Sequence, residues 1–100
     1  MKPELSSVID TLRRHEGELE CIGVRHIAVF GSVARGEQTD RSDIDLMIDV
    51  DADMVRSIFD LGGIHQSLCE LLDHAVDVSR QDRMRPNVRE EAARDAVYAF

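Results

Sequence analysis

No run in this 100-residue chain approaches the ~20 consecutive apolar residues that a membrane-spanning helix requires. The opening stretch MKPELSSVIDTLRRHEGE also lacks the apolar core of a secretory signal, because Glu4, Asp10, Glu16 and Glu18 interrupt it. A cytoplasmic location is therefore the expected default. Cysteine is scarce: Cys21 and Cys69 stand far apart, outside any CxxC or zinc-type spacing. They are expected to be reduced, buried or half-buried thiols with no assigned role. Basic residues are in deficit, with 12 Lys and Arg against 20 Asp and Glu and a formal net charge of −8. Broad nucleic-acid binding is thereby disfavoured, since it draws its affinity from Lys and Arg displacing counterions along the phosphate backbone. The same balance suits a cation site or a basic protein partner. Repeats, linkers and low-complexity segments are missing too. The length leaves room for a single domain over residues 1–100 with one modest core, and none for a second, substrate-binding domain.

What is present is an ordinary globular composition, 43% hydrophobic and 32% charged, with clear periodicities. Leu5, Val8, Ile9, Leu12 and Leu19 recur at helical spacing, which predicts one amphipathic helix from Pro3 to about Glu20, stopped near Gly23. Val24 to Phe30 changes period and becomes apolar throughout its latter half, as a buried strand does. Gly31 ends that strand, Ser32 opens a short helical turn through Arg35, and Gly36 closes it before the polar loop 37–42. In SDIDLMIDV, Ile44, Leu46, Ile48 and Val50 alternate with Asp43, Asp45, Met47 and Asp49, a period-two strand with one apolar face.

Met54, Ile58, Leu61, Leu68 and Leu72 predict a helix between Ala52 and Asp73, with a possible break at Gly62 and Gly63, each of which costs a helix ~1 kcal/mol relative to Ala. AVDVS at 75–79 reads as a third strand, with Asp77 facing opposite to Val76 and Val78. Pro86 starts a last helix packed through Val88, Ala92, Ala96 and Val97. The expected architecture is α/β (α+β): a small mixed sheet of about three strands with helices mainly on one face.

The chemistry concentrates between residues 31 and 45. Carboxylates at i and i+2 of a strand share a face, so Asp43 and Asp45 form a pair while Ile44 points into the core. Their mutual repulsion would raise one pKa unless a cation neutralised them. Mg²⁺ suits such a pair, because it takes one or two carboxylates together with substrate phosphates and retained waters. A strand-ending Gly31 followed by Ser32 lets a phosphate approach the backbone and meet helix-start amides. If its strand lies next to that of Asp43 and Asp45, Asp77 would add a third carboxylate, and three can hold the two metals of an in-line phosphoryl or nucleotidyl displacement. Taken singly, a Gly-Ser pair is an ordinary turn and a DxD an ordinary solvated edge; the reading rests on their ordered combination.

Other polar residues carry less. His65 and Cys69 are four apart on a helix, too few ligands for zinc. Asp40, Asp49, Asp51 and Asp53 read as turn or solvated positions, and Arg80, Arg83, Arg85 and Arg89 as solvated surface.

The stretch GSVARGEQTDRSDIDLMID resembles the signature of the DNA polymerase beta-like nucleotidyltransferase superfamily: GS, then ARG, a short polar loop, and SDxDL followed by apolar residues. That resemblance implies that Gly31 and Ser32 hold the outer phosphates of a nucleoside triphosphate, that Asp43 and Asp45 bind metal, and that Asp77 completes a catalytic triad of acids. Arg35 falls where the family has an arginine near the phosphates, with a salt bridge pinning the loop as the alternative. Length and helix order are similar to those of the minimal (MNT) members, many of which are antitoxins of HEPN-type ribonuclease toxins and transfer AMP from Mg-ATP to a toxin tyrosine. The implied cofactor is Mg²⁺, two ions in the active complex, with ATP as substrate and a HEPN-type toxin as partner, in a homo-oligomer or a hetero-oligomer with that toxin. The alternatives are a module that neutralises its partner by contact alone, or a small-molecule nucleotidyltransferase.

Overall fold

Apolar residues at helical spacing begin the chain. In the computed structural model, which describes residues 3–100, Val8, Ile9 and Leu12 are buried on helix α1 (Leu5–Arg14) and Leu19 on α2 (Glu16–Cys21). The single helix expected over this stretch is thus two. The break falls at His15, whose Nδ1–H donates to the Thr11 carbonyl oxygen at 2.8 Å. Gly23 then turns the chain at φ +104°, where a Cβ would come within 2.6 Å of Val55 Cγ2.

Strand β1 (Val24–Phe30) leads through the short helix α3 (Gly31–Arg35) and a loop to β2 (Ile44–Val50). Helix α4 (Ile58–Leu72), β3 (Val76–Arg80), a 3-10 turn (Gln81–Arg83), α5 (Pro86–Asp95) and β4 (Val97–Tyr98) complete the fold. The sheet order is β3-β2-β1-β4, with β1 antiparallel to both β2 and β4, and β2 parallel to β3. Antiparallel neighbours close through short connections, whereas the parallel pair needs a crossover, which α4 supplies. The mixed sheet agrees with expectation, and β4 is an added fourth strand. Val97, expected on the last helix, lies in this strand, because the helix ends at Asp95 and Ala96 is already extended (φ −61°, ψ 129°).

Alternation along the strands builds two cores. Ile27, Val29, Leu46, Ile48 and Val76 cluster with Val8, Leu12, Ile64 and Leu68 from α1 and α4. On the reverse face Ala28 and Met47 pack with Ala92 of α5, flanked by Phe30, Met84 and Ala96. Most helical packing is on the first face, and α5 covers part of the second.

Local expectations shift in several places. Helix α4 starts later than the apolar pattern suggests, because Ser57 and Asp60 form a capping box: Ser57 Oγ accepts from the Asp60 amide at 3.3 Å, and an Asp60 oxygen accepts from the Ser57 amide at 3.2 Å. Met54 is left in a turn and Ile58, in the first turn beyond the core cluster, is 79% exposed. The helix runs unbroken through Gly62 and Gly63. Val88 and Val97, expected on a packed side, are both partly exposed, and Cys21 is exposed while Cys69 is half-buried. Arg80 is not solvated either: its side chain is largely buried and pairs with Asp82 at 3.0 Å, which holds the Asp82 carboxyl below its ordinary range. Among the described residues no helix is long and apolar enough to cross a membrane.

Candidate active site

Gly31 stands at the junction of β1 and α3 with φ +72°, a conformation open to glycine and strained for residues with a Cβ. Space imposes the same choice. A Cβ there would lie 3.0 Å from Asp45 Cγ and closer still to Oδ2, so the carboxylate of β2 packs directly on the Gly31 backbone. Phe30, extended at φ −134°, N-caps α3, and Val33 anchors that helix in the core. The amides that open α3 have no acceptor within the helix, as at every helix start, and are available to an anion. Gly36 in the left-handed region (φ +74°) ends the helix, and the Glu37 amide donates back to the Ser32 carbonyl oxygen at 2.9 Å.

The loop that follows is held in place by its own polar residues. The Thr39 amide donates to Ser42 Oγ at 2.8 Å, and the buried Gln38 donates through Nε2 to the Pro3 carbonyl oxygen at 2.6 Å. The chain re-enters the sheet at Ile44, whose amide donates to the Ala75 carbonyl oxygen at 3.1 Å and so aligns the start of β3 with that of β2. From this bond follows the register that matters: Ile44 pairs with Val76 and Asp45 with Asp77. Side chains paired across a sheet point the same way, and adjacent strands lie ~4.8 Å apart. Asp45 and Asp77 therefore stand side by side on the face opposite α1 and α4. Asp43, two residues before Asp45 and just outside β2, precedes them at the end of the sheet where β2 and β3 begin.

Electrostatics follow from the geometry. Asp45 is half-buried while Asp43 and Asp77 are exposed. Burial, and then the charges of Asp77 and Asp43, push the Asp45 carboxyl above its ordinary value, against a smaller opposing pull from Arg35. The site is thus short of positive charge. Among the described residues no three acidic, His or Cys side chains converge closely enough to enclose an ion by themselves.

Arg35 is already partnered. Its Nε donates to Glu37 Oε2 at 3.0 Å and its Nη1 to Asp95 Oδ2 at 2.8 Å, joining α3 to α5 and raising the guanidinium pKa. In this arrangement it acts as the loop-pinning salt bridge, and a phosphate contact would require it to exchange a partner. Asp95, 60 residues away in sequence, could not have been found by local pattern. Gln38 carried no such signal either, since Thr39 and Ser42 of the same loop are also uncharged.

The chain matches the model of the nucleotidyltransferase domain family over residues 6–99. It is 32% identical over 95 residues to the protein adenylyltransferase MntA of Thermococcus cleftensis, an alignment covering 94% of each chain. Among solved structures it resembles a protein provisionally described as a minimal nucleotidyltransferase, at 31% identity and TM-score 0.71, over 89% of this chain and 93% of that one. A toxin–antitoxin structure with AMP-PNP shares the fold at 20% identity and TM-score 0.69, over 88% of this chain and 72% of that one. The glycine turn, the DxD strand and the family match over almost the whole length agree, and the chain belongs to the nucleotidyltransferase family.

Proposed function

We propose that this chain, as a single cytoplasmic domain, transfers AMP from Mg-ATP to a tyrosine hydroxyl of a HEPN-type toxin and thereby acts as its antitoxin. The observation that carries the reading is the meeting of Asp45 with Asp77 on one side and with the Gly31 backbone on the other. A backbone turn that a phosphate chain can approach and a pair of carboxylates are thus offered to one substrate. The name of the Thermococcus cleftensis relative supports protein as the acceptor class. The toxin–antitoxin structure with AMP-PNP that shares this fold supports a toxin as the partner.

In this reading the amides at Gly31 and Ser32 would orient the outer phosphates, and Asp43, Asp45 and Asp77 would hold two Mg²⁺ ions together with phosphate oxygens and water. Bound there, the metal neutralises phosphate charge and lowers the pKa of the attacking hydroxyl. The acceptor oxygen bonds to the α-phosphorus as the bond from that phosphorus to the bridging oxygen breaks, and pyrophosphate leaves. Asp77, exposed beside Asp45, would accept the hydroxyl proton. Replacing Asp43 and Asp45 together by Asn should abolish labelling of the co-expressed partner by radiolabelled ATP. Undiminished labelling would overturn the proposal. Loss of labelling with full inhibition of the partner would instead establish neutralisation by contact.

A further inference from the structure

In-line displacement keeps the attacking oxygen and the leaving pyrophosphate on opposite sides of phosphorus, so the nucleoside must leave the reaction axis sideways. On this molecule a cleft with both apolar and charged residues in its lining, Arg94 and Asp95 included, lies to one side. It encloses about 420 Å³ between α3 and α5 and is lined by Phe30, Gly31 and Arg35 on one side and by Val88, Glu91 and Ala92 among others on the second. Gly31 is shared between this cleft and the carboxylate site, since it also abuts Asp45.

The face of α5 that turns inward follows from spacing. Val88, Glu91, Ala92 and Asp95 stand at i, i+3, i+4 and i+7 and occupy one stripe of the helix. Ala92 is buried against Ala28 and Met47, and Asp95 is tied to Arg35, so the stripe is fixed against the sheet at its C-terminal end. Val88, one turn before Ala92 on the same stripe, is nevertheless 42% exposed and looks into the cleft. An aliphatic side chain, a partly buried phenyl ring and a nearby carboxylate in an open cleft of this size are what a flat, apolar ring with polar edges requires.

We propose that this cleft binds the base of the donor nucleotide, with Val88 and Phe30 contacting its face and Glu91 accepting from a ring or amino N–H at its edge. The inference rests on the nucleotide reading of the carboxylate site. Calorimetric titration of the intact chain with Mg-ATP and with Mg-tripolyphosphate separates the two. Wild type should bind ATP the more tightly, and Val88→Asn should weaken ATP roughly ten-fold, the order expected when the apolar burial of one aliphatic side chain is lost. Its affinity for tripolyphosphate should be unchanged. In unmutated protein the methyl resonances of Val88 and Ala92 should shift with ATP and not with tripolyphosphate, a readout independent of any effect of mutation on folding. Equal affinity of wild type for the two ligands, or Val88→Asn binding ATP as wild type does, would overturn the cleft assignment alone. Failure of wild type to bind either ligand would overturn the nucleotide reading and this inference with it.

Discussion

At Gly31 two independent constraints coincide: a positive φ and a carboxylate occupying the space where a Cβ would stand. Gly31→Ala must either rotate the backbone or displace Asp45. The strain should lower stability by ~1 kcal/mol in urea denaturation. The displacement should reduce partner labelling by about 100-fold, since ångström-scale misplacement at a reacting centre has effects of that order. Activity should thus fall far more than folding. Asp45 itself is held in an unfavourable ionised state by burial and by two neighbouring acids. Its folded pKa lies above the unfolded value, so ionisation removes stability as pH rises through that interval. In metal-free buffer Asp45→Asn should therefore raise Tm at pH 7, and the gain should disappear below about pH 3.9, where the unfolded carboxyl is also protonated. An unchanged Tm difference across that range would show that Asp45 repulsion is negligible.

Helix α4 has a tertiary duty that its composition does not favour. As the crossover between β2 and β3 it determines the pairing of Asp45 with Asp77, yet it carries Gly62 and Gly63 in its interior. A Cβ at either position would meet nothing within 4 Å. Gly62→Ala and Gly63→Ala should each stabilise the protein by ~0.5–1 kcal/mol, read as a higher urea midpoint with unchanged slope. The capping box at Ser57 and Asp60 starts the helix, and Ile64 and Leu68 seat it on the sheet. Together they hold a helix that propensity alone would leave weak.

Across the whole molecule, stability and surface separate by face. Leu46 is fully buried in the larger core, and Leu46→Ala should cost about 2–5 kcal/mol. Phe59 is equally apolar but 86% exposed, so Phe59→Ser should move the stability of the isolated chain by less than ~0.5 kcal/mol. Thermal melts of the two variants in parallel test that division. Two of the three acids are likewise exposed, on the sheet face that α5 only partly covers. A partner can therefore reach the site without disturbing the main core.

Much of this protein was legible in its sequence because the deciding patterns are local. Alternation around Asp43 and Asp45 sets which way carboxylates and apolar residues face, and a glycine-serine step after a β run sets a sharp turn; both act over a few residues. Contacts between distant segments were legible only where the family resemblance implied them, as for Asp77 joining Asp43 and Asp45, and not in their geometry. The pairing of Asp45 with Asp77 depends on a crossover helix and on one hydrogen bond from Ile44 to Ala75, and the Arg35–Asp95 tie spans most of the remaining chain. Periodicity also cannot say which apolar stripe finds a partner, so Ile58 and Val88 read as core and proved exposed. Local sterics wrote the Gly31 turn into the sequence, whereas long-range packing alone brought Asp77 to Asp45 and opened a cleft beside them.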